Sequence, residues 1–165
     1  MDIPRLYRHL TRFDSALRRA FPADALQTIE AAIKASERRH IGEIRFVVEA
    51  ALDVGPLLRG QSPRERAIEV FSQLRVWDTE HNNGVLLYLL LADSDVEIVA
   101  DRGISARLPQ SEWETICRDM ETAFRLSQFE AGVVKGVEAI GELLARTFPA
   151  GDDGVNELSD SPLLL

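Results

Sequence analysis

The sequence is short of cysteine, of positive charge and of long apolar runs, and each shortage removes a class of function. A single cysteine, Cys117, leaves no intramolecular disulfide to form and fits a reducing compartment. Cys117 also falls on the apolar face of a helical pattern, where burial raises a thiol's pKa and makes it a poor nucleophile. The histidines His9, His40 and His81 lack the paired spacing of a zinc site. With a formal net charge of −8, nothing electrostatic favours nucleic acid as a partner. The longest apolar run, Val85 to Ala92, is far below the roughly 20 residues that cross a bilayer. The first twenty residues space their apolar side chains at helical intervals instead of massing them as a signal peptide does. The expectation is a soluble, cytoplasmic protein that is not itself transmembrane.

What is present organises one domain, since 165 residues at 45% hydrophobic suffice for a single sizeable core. Charge is uneven along it. Arg5, Arg8, Arg12, Arg18 and Arg19 outnumber Asp2 and Asp14 at the start, whereas residues 149–165 carry Asp152, Asp153, Glu157 and Asp160 with no base. Leu6, Leu10, Phe13, Leu17 and Phe21 form one helical stripe opposite the arginines. A second helix follows Pro22 with the stripe Leu26, Ile29 and Ile33, so residues 1–39 read as an N-terminal helical extension. Residues 150–165 are rich in Gly, Asp, Asn and Ser without periodicity, and 149–165 is expected to be a disordered acidic tail.

Between these ends the pattern is that of an α/β domain over 40–148. From Glu43 to Leu52 the period is two, with Ile44, Phe46, Val48 and Leu52 on one face of a strand. Ser62-Pro63-Arg64-Glu65 is a capping box opening a helix with an apolar face of Ala67, Val70, Phe71, Leu74 and Trp77. Val85 to Ala92 reads as a strand covered on both faces, and a two-residue turn at Asp93-Ser94 returns the chain antiparallel through Asp95 to Asp101, pairing Val85 with Arg102. Ser111 with Glu114 and Ser127 with Glu130 read as two further capping boxes.

A strand–helix–strand crossover makes the first two strands parallel, so their starts share one sheet end, to which the third strand returns. Three polar groups are then expected on one rim: His40 to Glu43, Asp78 to Asn83, and Asp101 to Gly103. The helix starting near Ser111 would point its N-terminus at the same rim and favour an anion. Asp78, Glu80 and Asp101 are candidate oxygen ligands for Ca2+ or Mg2+, with Asn82, Asn83 and Arg102 as binding groups and His81, Asp101 and Arg102 as catalytic candidates. The stretch is not an EF-hand, because its glycine falls one position late and Leu89 stands where the last glutamate is required. Asn82-Asn83-Gly84 equally serves as a plain helix cap and turn.

The series Asn82-Asn83-Gly84-Val85-Leu86-Leu87, Val96-Glu97-Ile98-Val99-Ala100-Asp101-Arg102-Gly103-Ile104 and Phe129-Glu130-Ala131-Gly132-Val133 resembles the TPM domain over roughly residues 40–148. The resemblance implies a three-layer α/β/α sandwich around a small mixed sheet, with a polar rim at Asn82, Asn83, Asp101 and Arg102. It also implies acid-phosphatase activity and calcium binding, attributed to plant members, or, for bacterial members, company with membrane proteins such as LemA. Many relatives carry a signal peptide and a membrane anchor that this sequence does not show, so a lumenal or periplasmic role is not carried over.

Two functions follow as expectations. One is a non-enzymatic accessory module for a membrane-associated partner, motivated by the basic amphipathic helix and the lack of a nucleophile–base pair, with peripheral attachment at a membrane. The alternative is a divalent-metal-dependent, acid-phosphatase-like hydrolase.

Overall fold

The computed structural model describes residues 3–11, 14–151 and 155–165; Asp2, Arg12, Phe13, Asp152 and Asp153 lie outside the described residues. Helices α1 (Ile3–Thr11), α2 (Asp14–Ala20) and α3 (Ala23–Glu37) precede strand β1 (Glu43–Glu49). Helices α4 (Val54–Leu58) and α5 (Pro63–Gln73) lead to β2 (Gly84–Leu90) and β3 (Asp95–Ala100). Then come α6 (Arg102–Ser105), α7 (Gln110–Arg125), α8 (Phe129–Thr147) and β4 (Leu163–Leu164). The sheet order is β3-β2-β1-β4, with β1 parallel to β2 and to β4, and β3 antiparallel to β2. The mixed sheet and its parallel crossover are as expected.

Alternation along the strands divides the apolar residues between two helical layers, giving an α/β/α sandwich. Ile44, Phe46, Val48, Val85, Leu87 and Leu89 pack with Ile29 and Ile33 of α3, Trp113 and Met120 of α7 and Val137 and Ile140 of α8. Val47, Leu86, Tyr88 and Leu90 pack on the other face with Ala67 and Val70 of α5 and Leu57 of α4. Leu52 belongs to this second face, because strand pairing ends at Glu49. Leu17, Phe21, Ile29 and Ile33 share one cluster with the sheet, so the boundary expected at residue 40 does not separate two cores.

Several local expectations are corrected. Leu90 pairs with Asp95 and Val85 with Ala100, two residues away from the expected register, because residues 91–94 form a longer connection in which Leu91 and Ala92 still donate to Glu49 and Ala50. A slip of two keeps every side chain on its face. The Ser62 capping box forms, but those at Ser111 and Ser127 do not. Helix α7 begins after Pro109, and Ser127 sits in the left-handed region (φ 59°) that ends it. Helix α5 stops at Gln73 with Arg75 at φ 52°, which turns Val76 into the core and leaves Trp77 half exposed. Leu10 is exposed and His9 buried, so α1 does not extend the stripe of α2.

Residues 157–165 of the segment expected to be disordered lie along β1. Leu163 and Leu164 pair with Val47 and Val48, and His40 bridges Pro149. Composition hid this, because the segment is held mostly through its main chain.

Candidate functional site

The expected rim forms, with a different cast. Asn82, in the left-handed region at φ 51°, turns its amide oxygen to Arg102 Nε at 2.8 Å, while Gly103 N donates to Asn82 O at 3.1 Å. Asp101 is the N-cap of α6: one carboxylate oxygen accepts from Arg102 N at 2.7 Å, and Oδ2 is buried with no protein partner among the described residues. It is α6, not the helix beginning at Gln110, that meets Asn82 here. Asn83 is buried; its amide nitrogen donates to Ile41 O, its backbone N–H donates to Thr79 Oγ1 at 3.0 Å, and its Oδ1 has no partner among the described residues.

Beside this rim lies a hollow of about 250 Å³ whose lining includes Glu37, His40, Glu43, Glu80, His81, Asn83 and Glu157. Burial first, then the neighbouring Glu43 and Asp160, push the Glu37 carboxyl up to about 9, although Ile44 N donates to it at 2.7 Å. Burial also raises Glu43 and pulls His40 down to about 4, so His40 is neutral near pH 7 and accepts or donates at Ser36 Oγ, 3.0 Å away. Glu80 and His81 are exposed; Glu80 N donates to both oxygens of Glu157, at 3.2 and 3.0 Å.

The structure therefore gathers Glu80, His81 and Asn83 at the hollow and Asn82, Asp101 and Arg102 at its side, and it leaves Asp78 exposed next to Arg75 O. Among the described residues no group of three or more His, Cys, Asp or Glu is placed to hold a metal ion. Glu37 and Glu157 were not singled out from sequence; the alternation placing Glu37 at the end of a helix just before the strand was the only signal for the first. Cys117 is half-buried against the core, its thiol pushed up to about 12 first by burial and then by Glu97 and Glu121.

The model of the TPM domain matches residues 17–143. The chain belongs to the TPM domain family. No curated protein matches it. Among solved structures it is similar to the BA42 protein of the psychrophilic bacterium Bizionia argentinensis, at 29% identity and a TM-score of 0.77, covering 87% of this chain and 94% of that one. It also shares its fold with the N-terminal domain of a protein from P. gingivalis, at 22% identity and a TM-score of 0.62, covering 78% and 79% of the two chains. The family match starts within α2.

Helix α1 and residues 155–165 fall outside the matched part of this TPM domain. Helix α1 sits at the carboxyl ends of β1 and β2, and it is seated by polar anchors. Arg5 Nε and Arg8 Nη2 reach Asp93 at 2.9 and 3.3 Å, Arg5 Nη2 donates to Gln61 O, and Arg8 Nε to Ala92 O. His9 takes a hydrogen bond from Leu52 N at 2.9 Å and faces Asp93 at 3.1 Å. The opposite face carries Ile3, Tyr7 and Leu10, spaced i, i+4, i+7 and exposed at 67%, 69% and 51%. Val54 and Leu58 of α4, on which α1 packs, are also more than half exposed. Arg5 and Arg8 reach back to the protein while Arg18 and Arg19 stay exposed, and Leu10 of the apolar stripe faces water. No helix among the described residues is long and apolar enough to cross a membrane.

Proposed function

We propose that this TPM domain is a non-enzymatic accessory module that binds a membrane-associated protein through the outward face of α1. The observation that carries the reading is the inverted seating of α1, which turns Ile3, Tyr7 and Leu10 outward. Each such side chain leaves roughly 1.5–3 kcal/mol of burial free energy unrealised while exposed, and a partner that covers the stripe recovers it. Arg5 and Arg8, the residues that would otherwise attract anionic lipid, are committed to Asp93, which favours a protein over a lipid surface. The partner class fits the company of membrane proteins such as LemA that the family resemblance implies. Flotation of the full chain with native membrane vesicles tests it. Binding should survive on untreated vesicles and vanish on protease-shaved vesicles and on anionic liposomes; equal binding to liposomes would refute the protein-partner reading.

A second reading, a divalent-metal-dependent hydrolase acting on phosphate esters, draws on the buried, unpartnered Asn83 Oδ1 at the acidic hollow. Asn83 Oδ1 with Glu80 and Glu157 would hold Ca2+ or Mg2+, which polarises a phosphoryl oxygen when bound, with Arg102 near the anion and His81 as the proton donor. The fit is partial, because Glu157 already accepts from Glu80 N and Glu43 from the main chain of residues 157 and 158. Turnover of a generic phosphate ester with either ion, unchanged in Asn83→Ala, would dismiss it.

A further inference from the structure

The outer edge of β1 is covered by a segment that it grips through backbone atoms. Glu43 Oε2 accepts from Glu157 N and Leu158 N at 3.2 and 3.1 Å. Two residues along the strand, Arg45 Nη1 donates to Ser159 O and Ser161 O at 2.7 and 2.5 Å. Beyond the pairing of Leu163 and Leu164, Leu165 N donates to Val48 O at 2.9 Å and Ala50 N to Leu165 O at 3.1 Å. A carboxylate taking consecutive N–H groups and a guanidinium taking carbonyls read an extended chain without reading its side chains. Side chains are read at Leu158 and at the pair Leu163 and Leu164, of which Leu164 packs into one apolar layer of the sandwich and Leu158 and Leu163 into the other, and at Ser161, whose hydroxyl donates to Glu30 at 2.8 Å. Main-chain affinity with alternate apolar pockets is the arrangement by which sheet edges accept peptides.

The resident segment fits one end of this edge poorly in charge. Glu157 is set beside Glu43 and Glu80 at the hollow and raises Glu43, whereas Asp160 is buried beside Glu37, Lys34 and Arg45. Its regular pairing spans two residues, against seven between β1 and β2. It also lies outside the residues matched by the family.

The geometry points to a strand-accepting groove along β1, in which residues 155–165 are an exchangeable internal occupant. The external ligand is an extended segment of a second protein with a basic residue at the position of Glu157, an acid at that of Asp160 and an apolar pair at those of Leu163 and Leu164. The resident segment then acts as a competitor that sets the threshold for binding. This groove lies at the opposite edge of β1 from β2 and is independent of the α1 face.

The probe is a fluorescent peptide with the sequence of residues 155–165 carrying lysine in place of Glu157, titrated by polarisation into the full chain. The peptide should bind, and roughly tenfold more tightly to a Leu165→Pro chain, whose resident segment has lost the N–H that holds it to Val48 O. Binding should disappear in Arg45→Ala and be unaffected by Tyr7→Ser/Leu10→Ser, which separates the groove from the α1 reading. Equal affinity for the unaltered and Leu165→Pro chains, or no binding to either while circular dichroism shows the native fold, overturns the proposal. Should Leu165→Pro fail to fold, a protease site placed between Gly151 and Val155 is cut after folding. The released segment should then exchange for excess peptide on gel filtration, and its retention overturns the proposal equally.

Discussion

His9 Nε2 stands 3.1 Å from Asp93 Oδ1, inside the fold at the end of β2. Because His9 Nδ1 accepts from Leu52 N, the ring proton lies on Nε2, the nitrogen nearer the carboxylate. Asp93 thereby binds three side chains of α1 at once, Arg5, Arg8 and His9, and fixes which face of the helix looks out.

Asp93→Ala should release α1. It leaves the buried His9 ring without its acid and removes the ion pairs of Arg5 and Arg8, which keep their bonds to Gln61 O and Ala92 O, so the cost is roughly 1–3 kcal/mol, and the amides of α1 should lose hydrogen-exchange protection while those of β2 keep it. Asp53→Ala, an exposed acid without a side-chain cap bond, is the control and should leave α1 protected.

The same anchor gives α1 an acid limit. Burial acts to raise the Asp93 carboxyl, but the bonds from Arg5 and His9 outweigh it and hold the group below its ordinary value. A depressed carboxylate contributes stability above its unfolded pKa of about 3.9 and loses it as pH falls through the lower folded value. Protection of α1 should therefore be full near about pH 5, fall below about pH 4, and show no such step in Asp93→Asn.

Glu37 carries the opposite sign. Its folded pKa of about 9, raised by burial first, means that the stability it contributes is present below the ordinary glutamate range and is lost as pH rises through about 9. Glu37→Gln keeps an acceptor for Ile44 N and a donor toward Asp160 without titrating. The melting temperature of the unaltered chain should fall relative to Glu37→Gln across that window, and parallel pH profiles would mean that Glu37 is already ionised in the fold.

Gly84 marks a close approach, not the turn that Asn-Asn-Gly suggests in the sequence. A Cβ there would lie 1.9 Å from Val76 O, a backbone atom that cannot swing away. Gly84→Ala should cost roughly 3 kcal/mol or more by overpacking, read as a lowered denaturation midpoint, and should disturb the Asn82–Arg102 contact at the same sheet end.

What was legible in the sequence was local and periodic. The alternation from Glu43, the apolar run from Val85 and the Ser62 capping box each specify their element with contacts close in sequence, and the convergence of Asn82 with Arg102 follows from strand directions alone. Two features were not legible, for one reason. Both the seating of α1 and that of residues 155–165 depend on single polar side chains far away in sequence, Asp93 for the first and Glu43 with Arg45 for the second. Periodicity shows that α1 has an apolar face, but one acid, Asp93, decides that Ile3, Tyr7 and Leu10 are not the side chains turned inward. The segment 155–165 has no apolar period because its partners hold its peptide groups.

The central claim, that the outward face of α1 is the binding surface, is tested most directly by replacing Tyr7 with a photo-crosslinking phenylalanine analogue in the full chain and irradiating it on native membranes. The account expects one principal adduct with an integral membrane protein, lost when Leu10→Ser is added and lost again in Asp93→Ala, where α1 is no longer seated. Adducts with lipid alone, or a protein adduct indifferent to both substitutions, would contradict it.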